Sequence, residues 1–359
     1  FMPAFSYHVG AGLCDILKWV NRAVEVDGLT TFQVASPPIW LMAFYYLALL
    51  TMATEEGRLA IIRSRAKARH IIKVCLLVLA VSLCFSNLAD DGFRNCDITF
   101  VDVGQGDCMH VRADGCDYLI DGGGSDNYNV GKQVLRQYCL KNGVSHVDVA
   151  FVTHLHTDHY KGICELAREG MVDRIYVYEG NRARLDEIEA ETGLGADSIV
   201  YLHAGQKVML GDDAYLEVLW PEERTDTEYS RMIADAEDEN AMSLIMRLNV
   251  DGVSMLVTGD IDEEGELELV SACSDSLESD ILKVAHHGSK YSSSDAFLEA
   301  VSPGFAVIQV GKNNYGHPTP EVLEKLDGRG VPVYRNDLQG AVGFEIEKGE
   351  VRKVRTMII

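Results

Sequence analysis

The sequence predicts an α/β fold in which two β-sheets pack face to face with helices on their outer sides, preceded by transmembrane helices. Three features carry that expectation. From residue 97 onward, short β-rich runs give way to alternating strand and helix patterns, and this order occurs twice. Polar residues able to bind metal recur where the expected strands end. Before residue 90 lie two apolar stretches of about 20 residues, the length that crosses a bilayer as a helix.

The chain of 359 residues divides by charge. Residues 1–89 hold 8 Lys and Arg against 5 Asp and Glu, and the remainder holds 24 against 50. Residues 34–53 carry no charged side chain and include Trp40, Tyr45 and Tyr46, while residues 71–89 carry only Lys73, near their start. Both stretches are apolar on all faces, so both are expected to span a membrane. The intervening loop holds Arg58, Arg63, Arg65, Lys67 and Arg69, whereas Asp90, Asp91, Arg94 and Asp97 follow the second stretch. The positive-inside rule puts that loop in the cytoplasm and everything after residue 90 on the far side. The expected organisation is a membrane region, 1–89, and a second domain, 90–359. Because the chain opens on Phe1, it reads as the tail of a longer multi-pass protein.

In the second domain, residues 98–103, 107–111 and 117–120 read as strands, the third ending at Asp121-Gly122-Gly123-Gly124. Residues 129–142 have helical spacing. A strand at 147–152 is followed by a helix at 161–169, a strand at 174–178 and a helix at 185–191. Strands are expected at 198–202, 207–210 and 215–220, then an acidic loop at 221–238. A hairpin, 242–249 with 254–258, turns at Asp251-Gly252 and ends at Gly259-Asp260. A helix at 263–272 leads to a strand, 281–285, that ends in His286-His287-Gly288-Ser289. Helix 295–301, strand 305–310, helix 320–326, strand 331–334 and a closing hairpin at 341–356 complete the order. Six cysteines lie in this part without a C-x-x-C pair, and Cys96 with Cys116 fits either a disulfide or two buried thiols.

Residues 153–159 read Thr153-His154-Leu155-His156-Thr157-Asp158-His159, placing three of the chain's eleven histidines beside a carboxylate. Imidazoles and a carboxylate suit Zn²⁺, Mn²⁺ or Fe²⁺. At the tip of a strand His154 and His156 share one side, because strand side chains alternate. Asp158 and His159, in the expected turn, then reach a second ion. An aspartate after a strand is ordinarily a turn residue. Beside two cations, however, Asp260 supplies the bridging anion they need, and its preceding glycine permits the turn. His286 or His287 is a further candidate ligand.

These residues together resemble the metallo-β-lactamase superfamily, an αββα sandwich. Finer motifs resemble the hydrolase domain of ComEC-type DNA-internalisation proteins of competent bacteria. They are Val101-Asp102-Val103-Gly104-Gln105-Gly106-Asp107, Leu119-Ile120-Asp121-Gly122-Gly123, Asn240-x-x-Ser243-Leu244, Thr258-Gly259-Asp260-Ile261, Leu282 to Ser289, and Tyr315-Gly316-His317-Pro318. The resemblance implies two divalent ions, Zn²⁺ or Mn²⁺. His154 and His156 would hold the first, Asp158 and His159 the second, with Asp260 between them and His286 or His287 completing the second. Asp121 and Asp107 would support the ligands from behind. The family's third histidine on the first ion has no counterpart, since the context of His203 is wrong.

The implied activity is that of a nuclease degrading the non-transported strand of incoming DNA, on the extracytoplasmic side of the cell membrane, with other competence-system proteins as partners. Asp158 and Asp260 would orient water, His317 would stabilise phosphate or protonate the leaving group, and Ser289 and Lys290 would meet substrate. Two alternatives stand beside it. One is an exported esterase, lactonase or lactamase for small substrates, and the other a non-catalytic metal- or DNA-binding domain. The net charge of −26 after residue 89 (24 Lys and Arg against 50 Asp and Glu) opposes a polyanion, except where cations offset it.

Overall fold

The computed structural model describes residues 93, 95–221, 239–240 and 243–357, with isolated positions 46 and 54. Apart from Tyr46, the expected spans at 34–53 and 71–89 lie outside the described residues, as does most of the acidic loop. Among the described residues no helix is long and apolar enough to cross a membrane.

The first half opens with an antiparallel meander of β1 (Ile98–Phe100), β2 (Met109–Ala113) and β3 (Cys116–Ile120). From β3 the sheet turns parallel through β4 (Val149–Phe151), β5 (Ile175–Tyr178) and β6 (Ile199–Leu202). Parallel neighbours need crossover connections. A π-helical turn, Gly131–Leu135, running into α1 (Arg136–Lys141), then α2 (Thr157–Arg168) and α3 (Leu185–Thr192) supply them.

The second half repeats the plan. Strands β7 (Lys207–Met209), β8 (Ala214–Trp220), β9 (Ile245–Val250) and β10 (Val253–Val257) pair antiparallel. Strands β11 (Ile281–Lys283), β12 (Phe305–Ile308) and β13 (Val333–Arg335) continue parallel. Helices α4 (Glu263–Cys273), α5 (Asp295–Val301) and α6 (Pro320–Gly328) connect them. After the short α7 (Asn336–Gln339), β14 (Ala341–Glu347) and β15 (Glu350–Met357) return to the first sheet beside β1. The sheets run β15-β14-β1-β2-β3-β4-β5-β6 and β13-β12-β11-β10-β9-β8-β7.

Alternation of side chains sorts these strands into layers. Phe100, Met109, Ile120, Phe151, Met246, Met255, Ile281 and Phe344 fill the space between the sheets. Leu119, Ala150, Ile163 and Leu166 pack the outer face of the first sheet against its helices. Leu256, Leu282, Phe297 and Leu326 do the same for the second. The expected two-sheet α/β sandwich is therefore present.

Several boundaries differ from expectation. Strand β1 stops at Phe100 and β2 starts at Met109, because Val101 to Cys108 form a loop rather than strand ends. The helix expected at 161–169 begins at Thr157, with His156 extended as its N-cap, so Asp158 and His159 occupy its first turn. Asp158 there complements the positive end of the helix. The Cys96–Cys116 disulfide does not form. Both thiols are free, and burial raises the pKa of Cys96 to about 12.

Candidate metal centre

The candidate residues share one rim of the sandwich. Asp121, the 153–159 segment, Asp260 and His286-His287 follow the carboxyl ends of β3, β4, β10 and β11, the edge where open α/β sheets hold ligands. Asp107 joins them because β2, antiparallel to β3, starts at that edge.

Backbones interlock here at glycines. Asp107 N–H donates to the Asp158 carbonyl (3.0 Å), Gly122 N–H to that of His159 (2.7 Å) and Gly123 N–H to that of Asp107 (2.6 Å). Gly106 has φ 131°, and a Cβ there would strike the Asp158 carbonyl. Two consecutive non-glycine residues, His286 (φ 49°) and His287 (φ 54°), sit in the left-handed region, a strained arrangement that concentrates at functional sites.

The histidine rings are oriented from behind. Thr153 donates its hydroxyl to Asp121 Oδ2 (2.7 Å) and its N–H to Asp121 Oδ1 (2.8 Å). That hydroxyl lies 3.1 Å from His154 Nδ1 and accepts its proton. His159 Nδ1 faces Asp121 Oδ2 at 2.9 Å, and His287 Nδ1 faces the Gln309 carbonyl at 2.8 Å. With each Nδ1 so engaged, all three rings turn Nε2 to the centre, which is how second partners fix ligating histidines.

At that centre His159 Nε2 lies 3.3 Å from Asp260 Oδ1, and His287 Nε2 lies 3.3 Å from Asp158 Oδ2 and 3.5 Å from Asp260 Oδ2. His154 Nε2 is 3.0 Å from His156 Nδ1. Donor atoms converge within 4.8 Å in four groups: His154, His159 and Asp260; Asp158, His159 and His287; Asp107, Asp121 and His159; and Asp107, Asp260 and His287. Buried His159 Nε2 and Asp260 Oδ1 make no hydrogen bond despite facing each other. Orphaned nitrogen and carboxylate donors of this kind fit a divalent ion.

Two expected ligands stand at the edge. His286 Nε2 is 3.9 Å from Asp260 Oδ2, with its ring 5.7 Å from that of His317. His156 is partly exposed, and its Nε2 meets Glu239 Oε2 at 3.2 Å, while Glu239 also pairs with Arg184. Ser289, expected to meet substrate, is buried, and its hydroxyl accepts from the Tyr291 N–H (3.3 Å). Lys290 is exposed.

Lys283 was not anticipated. Ile281 faces the inter-sheet core and Leu282 the helices, so alternation turns Lys283 inward. Fully buried, it forms an ion pair with Asp107, donates to the Gly259 carbonyl (2.8 Å) and lies 3.7 Å from Asp260 Oδ1. The available signal was a charge inside the apolar run Ile281-Leu282-Lys283-Val284-Ala285.

Electrostatics follow from these contacts. Burial works against charge on His159, but Asp260, Asp107 and Asp121 outweigh it and raise its pKa well above the ordinary value. Burial likewise opposes charge on His287, yet Asp260 and Asp107 raise its pKa to about 10. His154 is held neutral by burial and by His159 beside it. Against the cost of burial, His159 and His287 keep Asp260 well below the usual carboxylate range, and Lys283 and the same histidines lower Asp107. A divalent ion among these groups displaces protons from His159 and His287, so binding strengthens as pH rises and weakens as it falls. Calorimetric metal titration in buffers of different ionisation enthalpy is expected to show about two protons released per chain. Uptake without proton release contradicts this arrangement.

The family model of the metallo-beta-lactamase superfamily matches residues 101–312, and the chain belongs to that superfamily. Its sequence is 27% identical to ComE operon protein 3 of Bacillus subtilis (strain 168), across 92% of this chain and 42% of that protein. It is 31% identical to Competence protein ComA of Neisseria gonorrhoeae, across 73% of this chain and 34% of that protein. These matches bear out the resemblance to ComEC-type competence proteins, and the chain spans less than half the length of either relative. Among solved structures it is similar to the metallo-beta-lactamase fold protein YhfI from Bacillus subtilis, with TM-score 0.43 and 9% identity over 68% of this chain and 98% of that one.

Proposed function

We propose that residues 90–359 form a two-metal phosphodiesterase, a nuclease domain that degrades the DNA strand not taken up during transformation. In this reading residues 1–89 anchor it through spans at 34–53 and 71–89. The hydrolase then stands on the extracytoplasmic side of the cell membrane, with DNA and other competence-system proteins as partners. The observation that carries the reading is the convergence of Asp158, His159, Asp260 and His287 in a chain whose relatives are competence proteins.

His154 and His156 would hold one ion, Asp158, His159 and His287 the other, and Asp260 both, with His286 beside the second. Zn²⁺ and Mn²⁺ both suit these donors. When bound, such a pair supplies a nucleophile from water near neutral pH and positive charge for phosphate oxygens. The chain does the positioning. Asp121 and Asp107 fix the rings of His159 and His287, and Asp158 and Asp260 accept hydrogen bonds from the attacking water. Burial and the neighbouring His286 lower the pKa of His317, which makes it a neutral hydrogen-bond donor to phosphate rather than a strong acid. Lys290 meets a flanking phosphate.

The test is incubation of the purified full chain with plasmid and single-stranded DNA, with Mn²⁺ or Zn²⁺, with EDTA, and as His159→Ala. Cleavage that both EDTA and the substitution abolish is expected. Hydrolysis of ester or lactone substrates with DNA left whole contradicts the nuclease reading and assigns a small-substrate hydrolase.

A further inference from the structure

Two tyrosines are held out into solvent beside this rim. Tyr315 is 76% exposed and Tyr291 65%, the highest exposures among the large hydrophobic side chains of the described residues. Neither sits on loose chain. Asn313 Oδ1 accepts from the backbone N–H groups of Tyr315 (3.0 Å), Gly316 (3.0 Å) and His317 (3.1 Å), and its amide donates to the Gly311 (3.0 Å) and His317 (2.8 Å) carbonyls. Tyr291 is pinned by its N–H to Ser289 Oγ (3.3 Å) and by its carbonyl, which accepts from Glu263 N–H (2.7 Å). Thr319 N–H donates to the Gly288 carbonyl (2.9 Å), tying the two tyrosine-bearing loops together.

The Tyr315 ring is linked to the candidate centre through two histidines, and Tyr291 lies on the loop that follows His287. The Tyr315 ring lies 5.9 Å from that of His317, which lies 5.7 Å from that of His286, which in turn reaches Asp260. Tyr291 follows His287 by four residues, and the Lys290 ammonium sits 4.9 Å from its ring centre. Lys312 is exposed on the Tyr315 loop.

Exposed tyrosine rings gain apolar contact when covered, and their fixed backbones lower the ordering cost when they are. With a net charge of −23 the chain as a whole does not attract a polyanion, so short-range groups at this rim carry the contact. Aromatic faces with adjacent cations are the chemistry that takes successive unpaired bases, and bases inside a duplex present no face to them.

We propose that Tyr291 and Tyr315 form a stacking platform for the unpaired bases of a single-stranded nucleic acid lying across the rim, with Lys290 and Lys312 on its phosphates. This deepens the nuclease reading and rests on it for the strand's path, while base stacking itself needs no catalysis. The platform is tolerant of sequence and selects for strandedness.

The experiment measures binding of the full chain, by fluorescence anisotropy in EDTA, to three ligands of equal length. These are a labelled oligo-dT, the same strand built of abasic tetrahydrofuran residues, and a matched duplex. Wild type is expected to prefer oligo-dT over both others by at least about tenfold. Tyr291→Ala and Tyr315→Ala are each expected to bring the ratio of dT to abasic affinity toward one, and the phenylalanine variants to restore it. Equal wild-type affinity for the dT and abasic strands, or alanine variants that keep the ratio, overturns the platform. Hydrolysis of oligo-dT in Mn²⁺ is measured in parallel. If wild type shows the tyrosine-dependent preference yet cuts no diester, the nuclease reading fails and the platform stands. If it cuts oligo-dT with the ratio unaltered in the alanine variants, the platform fails and the nuclease reading stands.

Discussion

Asp260→Asn is expected to abolish hydrolysis and to cost the chain at least one of its two ions. Among the described residues Asp260 is the single carboxylate facing His159, His286 and His287 together, and its Oδ1 is buried without a hydrogen bond. An amide at that position offers one oxygen, no negative charge, and an NH₂ that repels a cation. Losing a group that only orients a metal ligand costs about 10–100-fold in affinity or activity. Losing a bridging carboxylate should exceed that range. Elemental analysis and turnover, with far-UV circular dichroism to confirm the fold, check the result. Two ions retained with turnover within about tenfold of wild type would remove Asp260 from the centre.

Lys283→Met is expected to destabilise the chain by about 3–5 kcal/mol, the usual cost of removing one partner from a buried ion pair. The loss comes less from the attraction forgone than from what remains. Asp107 is fully buried and would stand without its lysine, beside His159 and His287, whose protons metal uptake removes. The Gly259 carbonyl would also lose its donor, loosening the turn that aims Asp260. Urea unfolding of the full chain measures the difference. Adding Asp107→Asn to Lys283→Met should recover part of it, because the stranded charge is gone. A change below about 1 kcal/mol for the single variant would mean the pair contributes nothing net to stability.

Local pattern made much of this protein legible. The 153–159 segment concentrates its donors within six positions, and Asp260 and His286-His287 close apolar runs, so their gathering at one rim followed from strand ends alone. The repeated β-then-alternating order likewise gave the two-sheet sandwich. What escaped depended on contacts distant in sequence. Lys283 reads as a surface charge until Asp107, from the other half of the chain, is placed against it. The early start of α2 was hidden because Thr157-Asp158-His159 has turn-like composition, and its N-terminal turn is set by packing against Gly106 and Gly122. The burial of Ser289 and its hydrogen bond to the Tyr291 N–H were likewise not readable from its place after the histidines. The partner of His156 could not be read from its motif, because Glu239, itself paired with Arg184, reaches it from a segment distant in sequence.

Anomalous diffraction from crystals grown with Mn²⁺ or Zn²⁺ locates the ions themselves. Two peaks sharing Asp260 are expected, one among Asp158, His159 and His287 and the other beside His154 and His156. Peaks elsewhere on the molecule, or none at this rim at saturating metal, would contradict the two-metal centre.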